Sequence, residues 1–136
     1  MKSRVILSRI LFVLYLIAIA FLLFATSDQL PTVRESMFGF QTDKVAHFLM
    51  FTPFPILAFL STNLVSKKWW HSLLAVVIIF LIGAAIAALT EYIQGLTPYR
   101  VADVEDFEAD LVGMGLTSVI VLVVDLVKLP KKSGRK

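Results

Sequence analysis

The sequence predicts an all-α integral membrane protein with four transmembrane helices. Hydrophobic residues make up 58% of the 136 residues, and the mean hydropathy is +0.84, which lies beyond ordinary soluble composition. Four stretches are apolar enough to cross a hydrocarbon core of about 30 Å, which requires roughly 20 helical residues each. A soluble helical bundle is disfavoured because too little polar sequence remains to coat such a core. The length indicates a single domain, residues 1–136.

The first two predicted helices differ in regularity. The first is the uninterrupted apolar run Ile10–Ala25, which can be extended back to Val5. The second, Val45–Val65, contains Pro53 and Pro55. Proline lacks a backbone N–H and clashes with the preceding turn, so we expect these residues to kink or break the second helix.

The third and fourth predicted helices carry the packing surfaces. The third, Ser72–Thr90, has no charged residue. The fourth, Phe107–Leu129, is long enough to cross the membrane only if acidic residues near both of its ends are included. Asp125 and Lys128 are one helical turn apart and are predicted to pair. Small residues permit close approach of helix backbones in membranes. The small residues that predict contact between these two helices are Gly83, Ala84, Ala87, Ala88, Ala109, Gly113 and Thr117.

The distribution of charge predicts the orientation. Lysine and arginine accumulate in the N-terminal segment, in the loop between the second and third helices and in the C-terminal tail. The other two loops, 26–43 and 95–110, contain more acidic than basic residues. Positive charge in short loops stays in the cytoplasm. The sequence therefore predicts a multi-pass protein of the bacterial plasma membrane with both termini cytoplasmic and the acidic loops outside.

Two classes of site are excluded by composition. The chain has no cysteine, so neither disulfides nor thiolate metal ligands are available. It also lacks a basic surface interleaved with aromatic residues, so the sequence indicates no nucleic acid partner.

Polar residues that are distant in sequence are predicted to converge at the outer ends of the helices. Residues four or three positions apart share a helical face, and carboxylates are favoured at a helix N-terminus. Ionisable groups are costly to place in a membrane, so their convergence predicts a functional site. Asp103 and Glu105, by contrast, are interpreted as solvated loop acids. The predicted site residues are Asp43, Lys44, His47, Glu91, Gln94, Arg100, Asp106 and Asp110.

Three motifs among these residues resemble the VanZ-like family of small bacterial membrane proteins. They are DKVAHFLMF (Asp43–Phe51), EYIQGLTPYR (Glu91–Arg100) and DFEADLVG (Asp106–Gly113), all within residues 43–113. The family pattern is DK-x-x-HF, then E-x-x-Q with a proline-containing turn and R, then D-x-x-x-N-x-x-G. Asp110 stands here at the usual Asn position. The resemblance implies a cell-envelope protein linked to glycopeptide (teicoplanin) resistance, and it implies no particular reaction.

The first functional hypothesis is the binding of membrane lipids with anionic headgroups, such as a polyprenyl phosphate, or of a cell-wall precursor. Lys44 and Arg100 would hold the phosphate, because basic side chains form charge-assisted hydrogen bonds with phosphate oxygens. The other site residues would orient the headgroup. The excess of acids repels a free phosphate unless a divalent cation intervenes.

Two alternatives belong to other functional classes. The first is a metal-dependent intramembrane hydrolase or transferase, in which a divalent metal is the cofactor. The spacing of the candidate metal ligands matches no established ligand motif, so the sequence does not decide whether the protein is an enzyme. The second is a non-catalytic assembly partner of another membrane protein, with the polar residues as an interhelical clasp. The predicted metal ligands are His47, Glu91, Asp106 and Asp110, with Asp43 beside them.

Overall fold

The structure is a computed structural model, and it describes residues 2–25, 36–37, 39–62, 68–98 and 102–129. In this part of the chain, four helical segments are long and apolar enough to cross a membrane. The protein is therefore an all-α membrane protein with four transmembrane segments, as predicted. The orientation of its termini stays a prediction. The elements in chain order are α1 (Lys2–Phe24), β1 (Ser36–Met37), β2 (Phe40–Gln41), α2 (Thr42–Phe51), α3 (Phe54–Thr62), α4 (Trp69–Gly95) and α5 (Val104–Val127).

A short antiparallel hairpin, which the sequence did not predict, leads directly into α2. Ser36 pairs with Gln41 and Met37 with Phe40. Gly39 lies in the turn at φ 83°, a conformation that glycine adopts without a steric penalty. Because Gln41 is both the last residue of β2 and the N-cap of α2, the hairpin fixes where α2 begins.

The second transmembrane segment consists of two helices, which confirms the predicted effect of its prolines. α2 ends at Phe51 and α3 begins at Phe54. The backbone N–H and the Oγ1 hydroxyl of Thr52 both donate to the carbonyl of Phe48, at 3.1 and 2.6 Å. The hydroxyl of Tyr15 on α1 donates to the carbonyl of Met50 at 2.6 Å. Side chains therefore satisfy backbone carbonyls at the break, as a membrane environment requires.

Replacing Tyr15 with phenylalanine is expected to lower the free energy of unfolding by about 1 kcal/mol, because the Met50 carbonyl loses its donor while the ring is retained. Unfolding in mixed micelles, followed by circular dichroism, measures this change. Tyr92→Phe is the matched control, since Tyr92 is exposed on α4. Equal stability of the two variants would show that the contact between Tyr15 and Met50 contributes nothing.

α5 packs against both α2 and α4, and small residues make the contacts close. A Cβ at Gly113 would lie 2.6 Å from the carbonyl oxygen of Phe48, and one at Gly83 would lie 2.5 Å from the sulfur of Met114. Both glycines are buried, as is Ala87, whereas Ala88 is exposed. Gly83 on α4 therefore meets α5 as predicted, whereas the prediction is wrong for Gly113, which meets α2, and for the exposed Ala88. The buried apolar cluster contains Ile19, Leu23, Phe51, Phe54, Ala58, Ile79, Ala87 and Met114.

Candidate functional site

The candidate site lies where α2 and α5 begin. The chain enters both helices from the same end of the protein, so the positive ends of two helix dipoles face the same cluster of side chains. Asp103 is the N-cap of α5, and its side chain accepts a hydrogen bond from the backbone N–H of Glu105 at 2.9 Å. The cap explains why α5 starts at Val104, three residues before the apolar run predicted from the sequence.

His47 is the centre of the site, and it is held by Asp110. Its Nδ1 lies 3.2 and 3.3 Å from the two carboxylate oxygens of Asp110. His47 is 1% exposed and Asp110 is 0% exposed, so this pair is removed from solvent. A hydrogen bond from Nδ1–H to the carboxylate fixes the tautomer and orientation of the ring, and it leaves Nε2 as the available ring nitrogen.

Two further carboxylates lie close to His47. Nε2 lies 3.8 Å from Oδ2 of Asp106. One donor atom from each of Asp43, His47 and Asp106 can be chosen so that all three lie within 4.8 Å of one another. Donor atoms that share a cation lie roughly 3–3.5 Å apart, since each ligand bond is about 2 Å long. A small adjustment of these three side chains would bring their donor atoms to the spacing that a divalent cation requires.

The other carboxylate oxygen of Asp106, which is not the one nearest Nε2 of His47, is unsatisfied. The residue is 5% exposed, and its Oδ1 is buried without a hydrogen-bond partner among the described residues. The nearest positive charge is the ammonium of Lys44, 3.7 Å away. A buried carboxylate oxygen with no donor is costly, so this atom is well suited to a cation.

Lys44 links α2 to the start of α5. Its Nζ lies 2.8 Å from Oδ2 of Asp103 and 3.0 Å from Oε2 of Glu105, in addition to its contact with Asp106. Asp103 and Glu105, interpreted from the sequence as solvated loop acids, are therefore partners of the site. The signal that could have identified them is the N-cap position of Asp103 directly before α5.

The contact with Lys44 perturbs Asp103. Its hydrogen bond from Lys44, together with the backbone N–H of Glu105, holds the pKa of Asp103 below its usual range. A carboxyl whose pKa is lowered by folding stabilises the fold above its ordinary pKa. The contribution of the Lys44–Asp103 contact to stability is therefore lost only as the pH falls through this lowered pKa.

Glu91 and Gln94 hold neighbouring elements in place. Oε1 of Glu91 accepts a hydrogen bond from the backbone N–H of Asp103, and its Oε2 is buried without a partner in the described structure. The side-chain amide of Gln94 donates to the carbonyl of Leu23 at the end of α1, at 2.9 Å. Glu91 thus positions the α5 cap, and Gln94 ties α4 to α1.

The structure brings together five of the eight predicted site residues directly. Of the predicted metal ligands, His47 and Asp106 belong to the set whose donor atoms lie within 4.8 Å of one another, which is completed by Asp43. Glu91 and Asp110 are predicted ligands outside that set, where they orient Asp103 and His47. Arg100 lies outside the described residues. The residues that converge are Asp43, Lys44, His47, Asp106 and Asp110.

Comparison with known proteins identifies the family. A family model described as VanZ/LLP1 matches residues 12–125, which include all three sequence motifs and all four transmembrane segments in whole or in part. No match is found among curated proteins or among solved structures. Since the family match covers most of the 136 residues, this chain belongs to the VanZ/LLP1 family of membrane proteins.

Proposed function

We propose that this VanZ-like membrane protein binds an anionic lipid or cell-wall precursor headgroup through a divalent cation held by Asp43, His47 and Asp106. The observation that supports this proposal is the orientation of His47. Its Nδ1 is bonded to the buried Asp110, and its Nε2 is directed at Asp106. This is the carboxylate–histidine arrangement that prepares an imidazole for a metal.

The charge of the site favours a cation as the intermediary. Five carboxylates surround two basic groups, so a phosphate approaching alone would meet net negative charge. A divalent cation offsets part of this negative charge and places positive charge directly against the phosphate oxygens. With three protein ligands it keeps open coordination positions, which phosphate oxygens can fill. The side chains that set this balance are Asp43, Asp103, Glu105, Asp106 and Asp110 against Lys44 and His47.

The location of the site is consistent with a lipid ligand. It lies at the ends of transmembrane segments, where a headgroup would reside while its chain stays in the bilayer. The positive-inside pattern would place this end on the outer face of the plasma membrane. Binding of a polyprenyl phosphate or another cell-wall precursor there would account for the link to teicoplanin resistance that the family resemblance implies.

A second candidate is metal-dependent hydrolysis or transfer at the same headgroup. The observation that favours it is that the Asp43–His47–Asp106 set supplies only three donors. A cation held by three ligands would keep a free coordination position, where it would lower the pKa of bound water and polarise a phosphoryl oxygen. Release of phosphate from a bound polyprenyl phosphate would establish this activity. Stable retention of the intact lipid would support binding alone.

The proposal is tested with the purified full chain. Titration with Mn²⁺ is expected to show about one ion per chain, and polyprenyl phosphate is expected to bind only when Mn²⁺ is present. Asp106→Asn should remove both, because it removes a buried ligand charge. Glu108→Gln is the matched control, since Glu108 is an exposed acid on the same helix. If neither ion nor lipid binds and Asp106→Asn only lowers stability, the polar residues form a structural clasp.

Lys44→Gln distinguishes a cation-mediated site from direct phosphate binding by lysine. In the cation-mediated site, the Lys44 ammonium lies 3.7 Å from Asp106 and competes with Mn²⁺ for this carboxylate. Its loss should tighten Mn²⁺ binding roughly fivefold, because an ion pair between a lysine and a carboxylate contributes up to about 1 kcal/mol. If Lys44 instead held the phosphate itself, this variant would lose lipid binding and leave the affinity for Mn²⁺ unchanged.

A further inference from the structure

A separate groove lies at the opposite end of the membrane-spanning region from the candidate site. It is formed between α3 and α5 and has a volume of about 180 Å³. Its walls include the apolar side chains of Phe59, Leu60, Val121 and Val124, and its lining also includes Asp125 and Lys128. Val121 and Lys128 are seven residues apart on α5, so the groove extends roughly 10 Å along the helix.

Asp125 is a charged residue without a counter-charge in the described structure. It is half-buried, and its Oδ2 is fully enclosed without a hydrogen-bond partner. The predicted pair with Lys128 is wrong: the ion pairs among the described residues all lie around Lys44 and His47. A carboxylate at the edge of a hydrocarbon region is costly unless a donor or cation accompanies it.

We propose that this groove binds a phospholipid whose headgroup carries both a phosphate and a primary ammonium, as in phosphatidylethanolamine. One acyl chain lies along the apolar walls, the ammonium pairs with Asp125, and the phosphate pairs with Lys128. The two opposite charges at the groove complement the two opposite charges of this headgroup. The site is independent of the cation site at the other end of the protein.

The chemistry of Asp125 selects the type of amine. A primary ammonium has three N–H donors, so it can hydrogen-bond to a carboxylate. A trimethylated ammonium carries the same charge and has no donor. An anionic headgroup without an amine would bring only negative charge to Asp125.

Native mass spectrometry of the detergent-purified full chain tests the proposal. The probes are phosphatidylethanolamine, phosphatidylcholine and phosphatidylglycerol with identical acyl chains. Phosphatidylethanolamine is expected to bind about tenfold more tightly than the other two lipids. This factor corresponds to the contribution of one hydrogen bond between charged groups. Asp125→Asn should abolish this preference, and Glu108→Gln, an equal change of charge at the other end of α5, should preserve it.

A second variant tests the groove without changing its charge. Val124→Trp fills the apolar groove and should reduce retention of phosphatidylethanolamine by a similar factor. Unfolding in mixed micelles that matches the parent protein shows that the variant is folded. Equal binding of the ethanolamine and choline lipids would overturn the proposal. So would a dimer that Val124→Trp converts to a monomer, because a second copy would then cover the groove.

Discussion

Replacing Gly113 with alanine is expected to lower the free energy of unfolding by about 2 kcal/mol, in the range of overpacked interiors. The added methyl carbon would lie 2.6 Å from the backbone carbonyl oxygen of Phe48 and 2.8 Å from Oγ1 of Thr52. A backbone oxygen cannot rotate away as a flexible side chain can. α2 must therefore move away from α5, and since His47 directly precedes Phe48, the bond between His47 and Asp110 should lengthen with it.

Gly115→Ala is the matched control for this experiment. A Cβ at Gly115 meets nothing within 4 Å, and the residue lies on the same helix two positions further on. Unfolding in mixed micelles should show this variant to be neutral or slightly stabilised, because alanine is the better helix former. If the Gly113 and Gly115 variants behave alike, the close approach of α2 to α5 does not determine stability. Mn²⁺ titration of both variants measures the effect on the site.

Replacing His47 with alanine is expected to weaken Mn²⁺ binding by at least roughly a hundredfold, since loss of a direct ligand should exceed the 10–100-fold effect typical of its supporting partners. Asp110→Asn should weaken binding by about tenfold. Asparagine can still accept the hydrogen bond from Nδ1–H of His47, but it removes the charge that makes the imidazole a better ligand. Isothermal titration calorimetry measures both affinities.

The second histidine supplies the control. The chain contains two histidines, and His71 lies near the start of α4, with its ring centroid 3.7 Å from that of Trp70. His71→Ala should leave Mn²⁺ binding unchanged. If His71→Ala and His47→Ala reduced it equally, the ion would be binding to imidazoles without selectivity and not at the α2–α5 site. A weaker effect of His47→Ala than of Asp110→Asn would place the cation on the carboxylates instead.

Hydropathy and helical spacing were sufficient to predict the transmembrane segments and the common helical face of neighbouring candidate residues. The four spans depend on long apolar runs, and Asp106 and Asp110 are four residues apart, so their common helical face follows from the sequence alone. The proline break in the second span was predictable for the same local reason: Pro53 and Pro55 cannot continue the helical hydrogen bonds.

The roles within the site were not predictable, because they depend on distances between helices. Asp43 lies one helical turn from His47, and Asp110 lies one helical turn from Asp106. Sequence spacing does not show which of these two carboxylates, Asp43 or Asp110, meets Nδ1 of His47. The packing of α2 on α5 determines this, and it places Asp110 on Nδ1. Lys44 is a similar case: its positive charge suggested a phosphate ligand, whereas its position next to the α5 N-terminus gives it carboxylate partners.

The interruption at Thr52 and Pro53 has a mechanical consequence for the acidic end of the protein. Asp43 and His47 lie on α2, a helix of only ten residues. They can therefore move toward Asp106 without a shift of the whole second transmembrane segment. Thr52 can act as a hinge that absorbs the adjustment. α3 can keep its contacts with α1 and with the hydrocarbon while α2 moves closer to Asp106.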